Sequence, residues 1–475
     1  MATNPTIHAR YRLGPVLRNH VRSSAFAVLF ILSGCVVGPN YEKPEAVTPP
    51  AYKETGGWVV AKPADTVAKG QWWLAFDDPV LNELIEQVSV SNQTLAGAEA
   101  RYRQSQAAVL GARSALFPTL GASGGAARSR TAAGTSSRYD IGLDARWEVD
   151  LWGRVRRLVE AARAGEEASA ADLAAVRLSL QAQLAIVYFQ VRVADAGRVL
   201  LEATLKAFQS SFDVTSNRYR AGVVGKVDVV QAETQLKSVE AQLIDLRATR
   251  AQLEHAVAVL IGRPPALFTL EPWARPFHIP GVPPGVPSTL LERRPDIAAA
   301  ERRMAAANAQ IGVAQAAYYP SLSLTGGAGF ASDSLSTLIS SPSRVWALGL
   351  GLAGTILDFG ARSADVDQAR ATYDEAVANY RQTVLEAFQE VEDNLAVVRW
   401  LGEEARVQDD ATRLARESVT LTLNQYKAGT VGTLNVVIVQ AAQLNEERST
   451  VTLLGRRLAA TVALIRALGG TWEGQ

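Results

Sequence analysis

The sequence is written twice. Residues 219–230, YRAGVVGKVDVV, return as residues 426–437, YKAGTVGTLNVV, at an offset of 207 positions. The same offset carries Gly153 onto Gly360 and Gly262 onto Gly469. Solenoid units run to about 20–50 residues, so a repeat this long marks a duplicated half-protein instead. Each half reads in one order: helix, strand pair, very long helix, turn, long helix.

Proline draws the boundaries. None occurs between Pro118 and Pro264 or after Pro342, whereas nine crowd the stretch from Pro264 to Pro295. Proline breaks helix interiors, so the proline-free tracts are where long helices can run. The expected organisation is a leader over 1–34, an extended arm over 35–78, a first repeat over 79–263, a proline-rich linker over 264–294 and a second repeat over 295–475.

Period-two alternation marks the strands. Tyr139, Ile141, Leu143, Ala145, Trp147 and Val149 fall on one face, and Asp140, Gly142, Asp144, Arg146 and Glu148 on the other. An apolar face opposite a charged one suits a barrel strand with lipid outside and water inside. A half-buried strand of a soluble sandwich has the same pattern. Further strands are expected through Leu322, Leu324, Ala328 and Phe330, through Trp346, Leu348, Leu350, Leu352 and Ile356, and, more weakly, over 119–128. Residues 129–137 and 332–344 are polar and Ser-rich and are expected to be loops. Four strands cannot close a barrel, which needs about eight. A membrane-spanning reading therefore requires an oligomer that shares one barrel.

Gly153 to Gly222 and Gly360 to Gly429 are both 69-residue intervals, roughly 100 Å each if helical throughout. Leu173, Val176, Leu180, Leu184, Val187 and Val191 recur at spacings of three and four. Leu236, Val239, Leu243, Leu246, Leu253, Val257 and Leu260 form a near-heptad seam on the return helix. The second half has Val384, Val391, Leu395 and Val398, then Leu444, Val451, Leu454, Leu458 and Ile465. Narrow stripes of this kind are coiled-coil seams. Gly222 and Gly429 stand where helix C-caps belong, after basic Arg220 and Lys427. These two turns are expected to be hairpin tips far from the strands.

The net charge of +1 offers no field for nucleic acid. Arg10, Arg12, Arg18 and Arg22 precede the short apolar run 25–32, and Leu32-Ser33-Gly34-Cys35 then reads as a lipobox, with cleavage before Cys35 and acylation of that cysteine. Removal of 1–34 leaves a formal charge of −3. Gly349-Leu350-Gly351-Leu352-Ala353-Gly354 spells a dinucleotide fingerprint, but inside an alternating strand with no βαβ unit around it. Asp358-Phe359-Gly360 lacks the rest of a kinase. Beyond the leader only His255 and His278 remain, with no cysteine partner for a metal. No enzyme activity and no cofactor is expected.

Several motifs resemble one family. They are Cys35-Val36-Val37-Gly38-Pro39-Asn40-Tyr41, Trp72-Trp73 with Phe76 and Asp78-Pro79, Trp152-Gly153-Arg154, and above all Arg293-Arg294-Pro295-Asp296 continuing to Tyr319-Pro320-Ser321. The chain resembles the TolC-like outer-membrane efflux channels, in the NodT/OprM-type lipoprotein branch that serves RND pumps. The resemblance implies an α+β membrane protein: a homotrimer with a shared 12-stranded barrel, four strands per chain, and a periplasmic coiled-coil tunnel. It implies a passive exit duct in the Gram-negative outer membrane, anchored there by an N-acyl diacylglyceryl group on Cys35. Its partners would be a periplasmic adaptor and an inner-membrane RND transporter. Tip residues Gly222, Val223, Val224, Gly429, Thr430 and Val431 match adaptor-facing positions. Gate positions of the family match Asp228, Leu434, Asn435 and Ile438, although Asn435 and Ile438 stand where relatives carry acids. Asp228 can equally be a helix cap after the turn. The alternative to a duct is a structural periplasmic coiled-coil lipoprotein without a pore.

Overall fold

The computed structural model describes residues 36–44, 48–54, 71–132, 134–272, 277–282 and 293–470. The expected leader and Cys35 lie outside the described residues. The elements are α1 (Pro79–Ser91), α2 (Gln93–Ser114), β1 (Thr119–Thr131), β2 (Gly134–Val149), α3 (Arg154–Arg220), α4 (Lys226–Leu260), α5 (Pro295–Ala316), β3 (Ser321–Ser332), β4 (Arg344–Ala353), α6 (Ala361–Lys427) and α7 (Thr433–Ala467). Helices α3 and α6 each hold 67 residues, and α4 and α7 each hold 35. Each pair starts 207 positions apart.

Two compact units divide the chain, and each draws on both sequence copies: one comprises 1–43, 105–166 and 302–377, the other 44–104, 167–301 and 378–475. The first unit holds one antiparallel sheet in the order β1-β2-β3-β4. Its registers pair Gly121 with Asp144, Leu143 with Ala328, and Ala328 with Trp346. Residues 129–137, expected to be a loop, mostly continue the ladder, which runs to the pair Thr131 and Gly134. Ile356, expected in the fourth strand, lies past its end and is 98% exposed.

Helix α3 starts at the foot of this sheet for local reasons. Gly153 takes the left-handed φ of +79° that the corner needs. The Asp150 carboxylate accepts from the backbone N–H groups of Val155 and Arg156, both at 2.9 Å, which satisfies orphan donors of the first turn. Beside this corner the segment 36–41 is strapped down. Val37 N–H donates to the Trp152 carbonyl at 3.0 Å. The Arg157 guanidinium, almost fully buried, donates to the carbonyls of Val37 and Gly38 and to Asn40 Oδ1. Gly38 lies against Gly312 so tightly that a Cβ on Gly38 would sit 2.4 Å from the Gly312 Cα.

In the second unit, Trp72, Trp73, Phe76, Tyr188 and Phe189 form an aromatic cluster. Asp78 caps α1 with Oδ1 and accepts from the Tyr188 hydroxyl with Oδ2 at 2.6 Å. Burial and this acceptor push the Tyr188 hydroxyl well above the usual phenol range. Arg294 of the resemblance motif acquires a role here: it donates to Glu390 on α6 and to the Ala467 carbonyl at the end of α7. Along the long helices, Leu236, Val239 and Leu243 of α4 pack with Leu201 and Phe208 of α3 and Leu444 of α7. The seam of α7 differs from the expected one. Leu453 is buried and Leu454 only half-buried, because Leu453 packs with Leu401 of α6.

Candidate functional site

Two regions carry features that packing alone does not explain. The first is the sheet. Register places Leu120, Ala122, Ile141, Leu143, Leu324, Phe330, Trp346, Leu348, Leu350 and Leu352 on one face. Most of these large side chains are exposed; Leu348 is 81% so. A contiguous apolar face of this extent marks an interaction surface. The opposite face carries Asp140, Asp144, Arg146, Glu148, Ser323 and Thr325. Edge strands β1 and β4 each pair on one side only among the described residues. No helix among the described residues is long and apolar enough to cross a membrane.

The second region is the pair of helix turns in the second unit. Gly222 and Gly429 adopt φ of +74° and +77°. Val223 N–H bonds the Arg218 carbonyl while Gly222 N–H bonds that of Tyr219; Thr430 and Gly429 repeat the pattern on Gln425 and Tyr426. Both ends are Schellman caps, which satisfy the last carbonyls and reverse the chain. Any residue but glycine at these positions meets the left-handed penalty. Val224 is half-buried, and Gly222, Val223, Gly429 and Thr430 are exposed; Val431 is half-buried.

The next helices start differently in the two copies. Asp228 is not itself an N-cap: it stands three positions after the cap Gly225, whose N–H donates back to Asp228 Oδ2 at 3.1 Å. Asn435 occupies the matching place after Gly432 and makes no such bond; it is exposed. An Asp228→Ala change is expected to cost about 1 kcal/mol, a capping loss, and to lower the thermal midpoint, whereas Asn435→Ala should leave it unmoved. Leu434 and Ile438 are separated by one helical turn and so share a face, 50% and 56% exposed. Val223, Val227 and Val230 of the first turn are exposed as well.

The two hairpins touch near these tips. The Arg218 guanidinium lies 4.6 Å over the Tyr426 ring, and Gln440 donates to Ser211 Oγ at 3.4 Å. Between them lies a cavity of about 430 Å³ bordered by Phe208, Val214, Tyr426 and Val436. The arginine–tyrosine contact was not expected from sequence. Tyr426 opens the second copy of the repeat and Arg218 lies one residue before the first, but spacing along one chain cannot tell which helix end meets which.

A family model described as outer membrane efflux protein matches residues 84–263 and 286–470. The chain belongs to that family. It is 31% identical over 457 residues to the probable efflux pump outer membrane protein TtgC of Pseudomonas putida, with 94% of each chain covered. Among solved structures it resembles the outer-membrane channel OprN with a TM-score of 0.84, at 32% identity, covering 92% of this chain and all of that one. The outer membrane channel MtrE of Neisseria gonorrhoeae, in its open state, gives a TM-score of 0.83 at 30% identity, covering 92% of this chain and 98% of that one. The protein is thus an outer-membrane efflux channel with the TolC-like α+β fold. An efflux channel needs a lipid-facing wall and a water-filled path, and one face of the sheet is apolar while the other is charged.

Proposed function

We propose that the protein is the passive outer-membrane duct of a tripartite efflux system, working as a homotrimer. The supporting observation is the four-stranded sheet with two open edges, one apolar face and one charged face. Pairing β4 of one copy with β1 of the next removes every edge, and three copies give a barrel of about twelve strands. The charged face then lines the water path. The long helices form the periplasmic tunnel.

Gly222, Val223, Val224, Gly429, Thr430 and Val431 present their turns to a periplasmic adaptor, which links the duct to an inner-membrane RND-type transporter. Leu434 and Ile438, exposed on one face of α7, form an apolar constriction in the trimer. Asp228 and Asn435 flank it. Opening repacks the tips, stabilised by adaptor contacts that favour the open arrangement. An acyl group on Cys35 fastens the chain to the membrane, next to the strapped segment 36–41. Cargo passes without chemistry, driven by the transporter.

Purified protein in a planar bilayer tests this reading. The wild type should show small or rare openings, and Leu434→Ser should raise the open probability severalfold. Absence of any conductance in both proteins, with trimers intact, favours a non-pore periplasmic lipoprotein instead.

A further inference from the structure

The apolar face of the sheet ends in a cationic rim. Two residues beyond Trp346 on β4, on the same face, stands Arg344, paired in register with Phe330. On the other edge, Tyr139 pairs with Ala126, and the next outward positions of β1 are Arg128 and Arg130. The β4 edge, and the β1–β2 pair taken together with Ile141 and Tyr139 on β2, thus read in one order toward the β1–β2 turn: aliphatic, aromatic, arginine. The last pair between β2 and β3 is Tyr139 with Ser332, so Arg128 and Arg130 ride on a two-stranded ribbon beyond it. Opposite them on the same face are Ser137 and Thr135. No acidic residue occurs from 126 to 139. Arg128 and Arg130 are exposed and bond to no acid among the described residues, and the one hydrogen bond described for Arg344 goes to a neutral Ser341 hydroxyl at 2.9 Å. Arg138 faces the other way, toward Asp140.

Exposed arginines on a lipid-facing surface need an anionic partner, and aromatic side chains mark the depth at which headgroups begin. Two arginines at alternate positions of one strand stand about 7 Å apart, with hydroxyls about 5 Å across the ladder. That spacing suits a phosphate monoester or diester, which takes bidentate guanidinium contacts. We infer that Arg128, Arg130 and Arg344 form a binding rim for phosphate-bearing lipid headgroups of the leaflet at the β1–β2 turn. The occupant is a lipid because the same face continues directly into the apolar surface that its acyl chains would cover. This rests on the membrane-barrel reading above.

The test uses purified trimers in vesicles of phosphatidylcholine with a minority of phosphatidic acid, followed by native mass spectrometry of the lipid retained. The wild type should be enriched in phosphatidic acid over its share in the vesicle. Arg128→Gln, Arg130→Gln and Arg344→Gln should each lower that enrichment, roughly fivefold per arginine at low salt. Arg146→Gln, on the opposite face, should leave it unchanged. Equal enrichment in wild type and triple variant overturns the inference. Inorganic phosphate retained by the wild type in vesicles of phosphatidylcholine alone, with no enrichment of phosphatidic acid, also overturns it, by assigning a soluble-anion site. Conductance of the same samples separates this outcome from failure of the barrel reading: a conducting wild type without enrichment rejects only the rim.

Discussion

Leu348→Arg is expected to cost about 2–4 kcal/mol of barrel stability in a bilayer, the cost of a guanidinium near the middle of the lipid-facing surface. Leu348 lies four residues from Arg344 and four from Leu352 on one face of β4, deep within the apolar stretch. The neighbouring change, Ala347→Arg, is the control. Position 347 pairs with Gly327, which pairs in turn with Asp144, so its side chain shares the charged face. An arginine there enters water and lies two strands, about 10 Å, from a carboxylate. It should cost under about 1 kcal/mol. The readout is the denaturant midpoint for unfolding from vesicles, with the fraction of heat-resistant trimer as a second measure. Equal costs at 347 and 348 would contradict a lipid-facing assignment for the apolar side of the sheet.

This contrast depends on a face that was legible in the sequence, and some neighbouring features were not. Tyr139–Val149 alternates because each side chain there faces one of two unlike solvents, and that difference is written into residue type. Residues 129–131 and 134–137 alternate in structure too, but their ribbon lies past the last β2–β3 pair. Serine and threonine then serve either face, and no periodic signal survives. The glycine caps were legible because a left-handed corner admits little else. The α7 seam was legible at Leu444, Leu458 and Ile465, which are buried, but not at Leu453. That helix packs against more than one neighbour, so Leu453 turns to α6 while Leu444 joins the α3–α4 cluster. Which residues meet between hairpins, as Arg218 and Tyr426 do, depends on packing that no local pattern encodes.

Asp195→Asn is expected to be among the most destabilising single changes outside the sheet, about 3–5 kcal/mol. The Asp195 carboxylate is fully buried and lies between two guanidinium groups, with Arg192 Nη1 at 3.3 Å and Arg250 Nε at 2.7 Å. Those arginines also hold the chain after α4: Arg192 donates to the Glu271 carbonyl, and Arg250 to that of Leu270 at 2.6 Å. The amide keeps the volume but withdraws the negative charge that lies between two positive ones; Glu254 stays beside Arg250 at 2.9 Å. The exposed pair Lys237 and Glu240 provides the comparison, and Glu240→Gln should leave the midpoint close to that of the wild type. Thermal midpoints of the two variants should differ accordingly, and limited proteolysis of Asp195→Asn should cut near 264–272 before the long helices. A midpoint for Asp195→Asn as high as that of Glu240→Gln would show that the cluster contributes little. The second copy sharpens the expectation. Positions matching Arg192 and Arg250 remain arginine, at Arg399 and Arg457, but Gly402 and Thr461 replace the two acids. Arg399 instead approaches Glu54 at 3.6 Å and lies over Trp400. The acids occur only in the copy whose arginines hold the segment after α4, so the cluster's stabilising effect should be confined to that half of the chain.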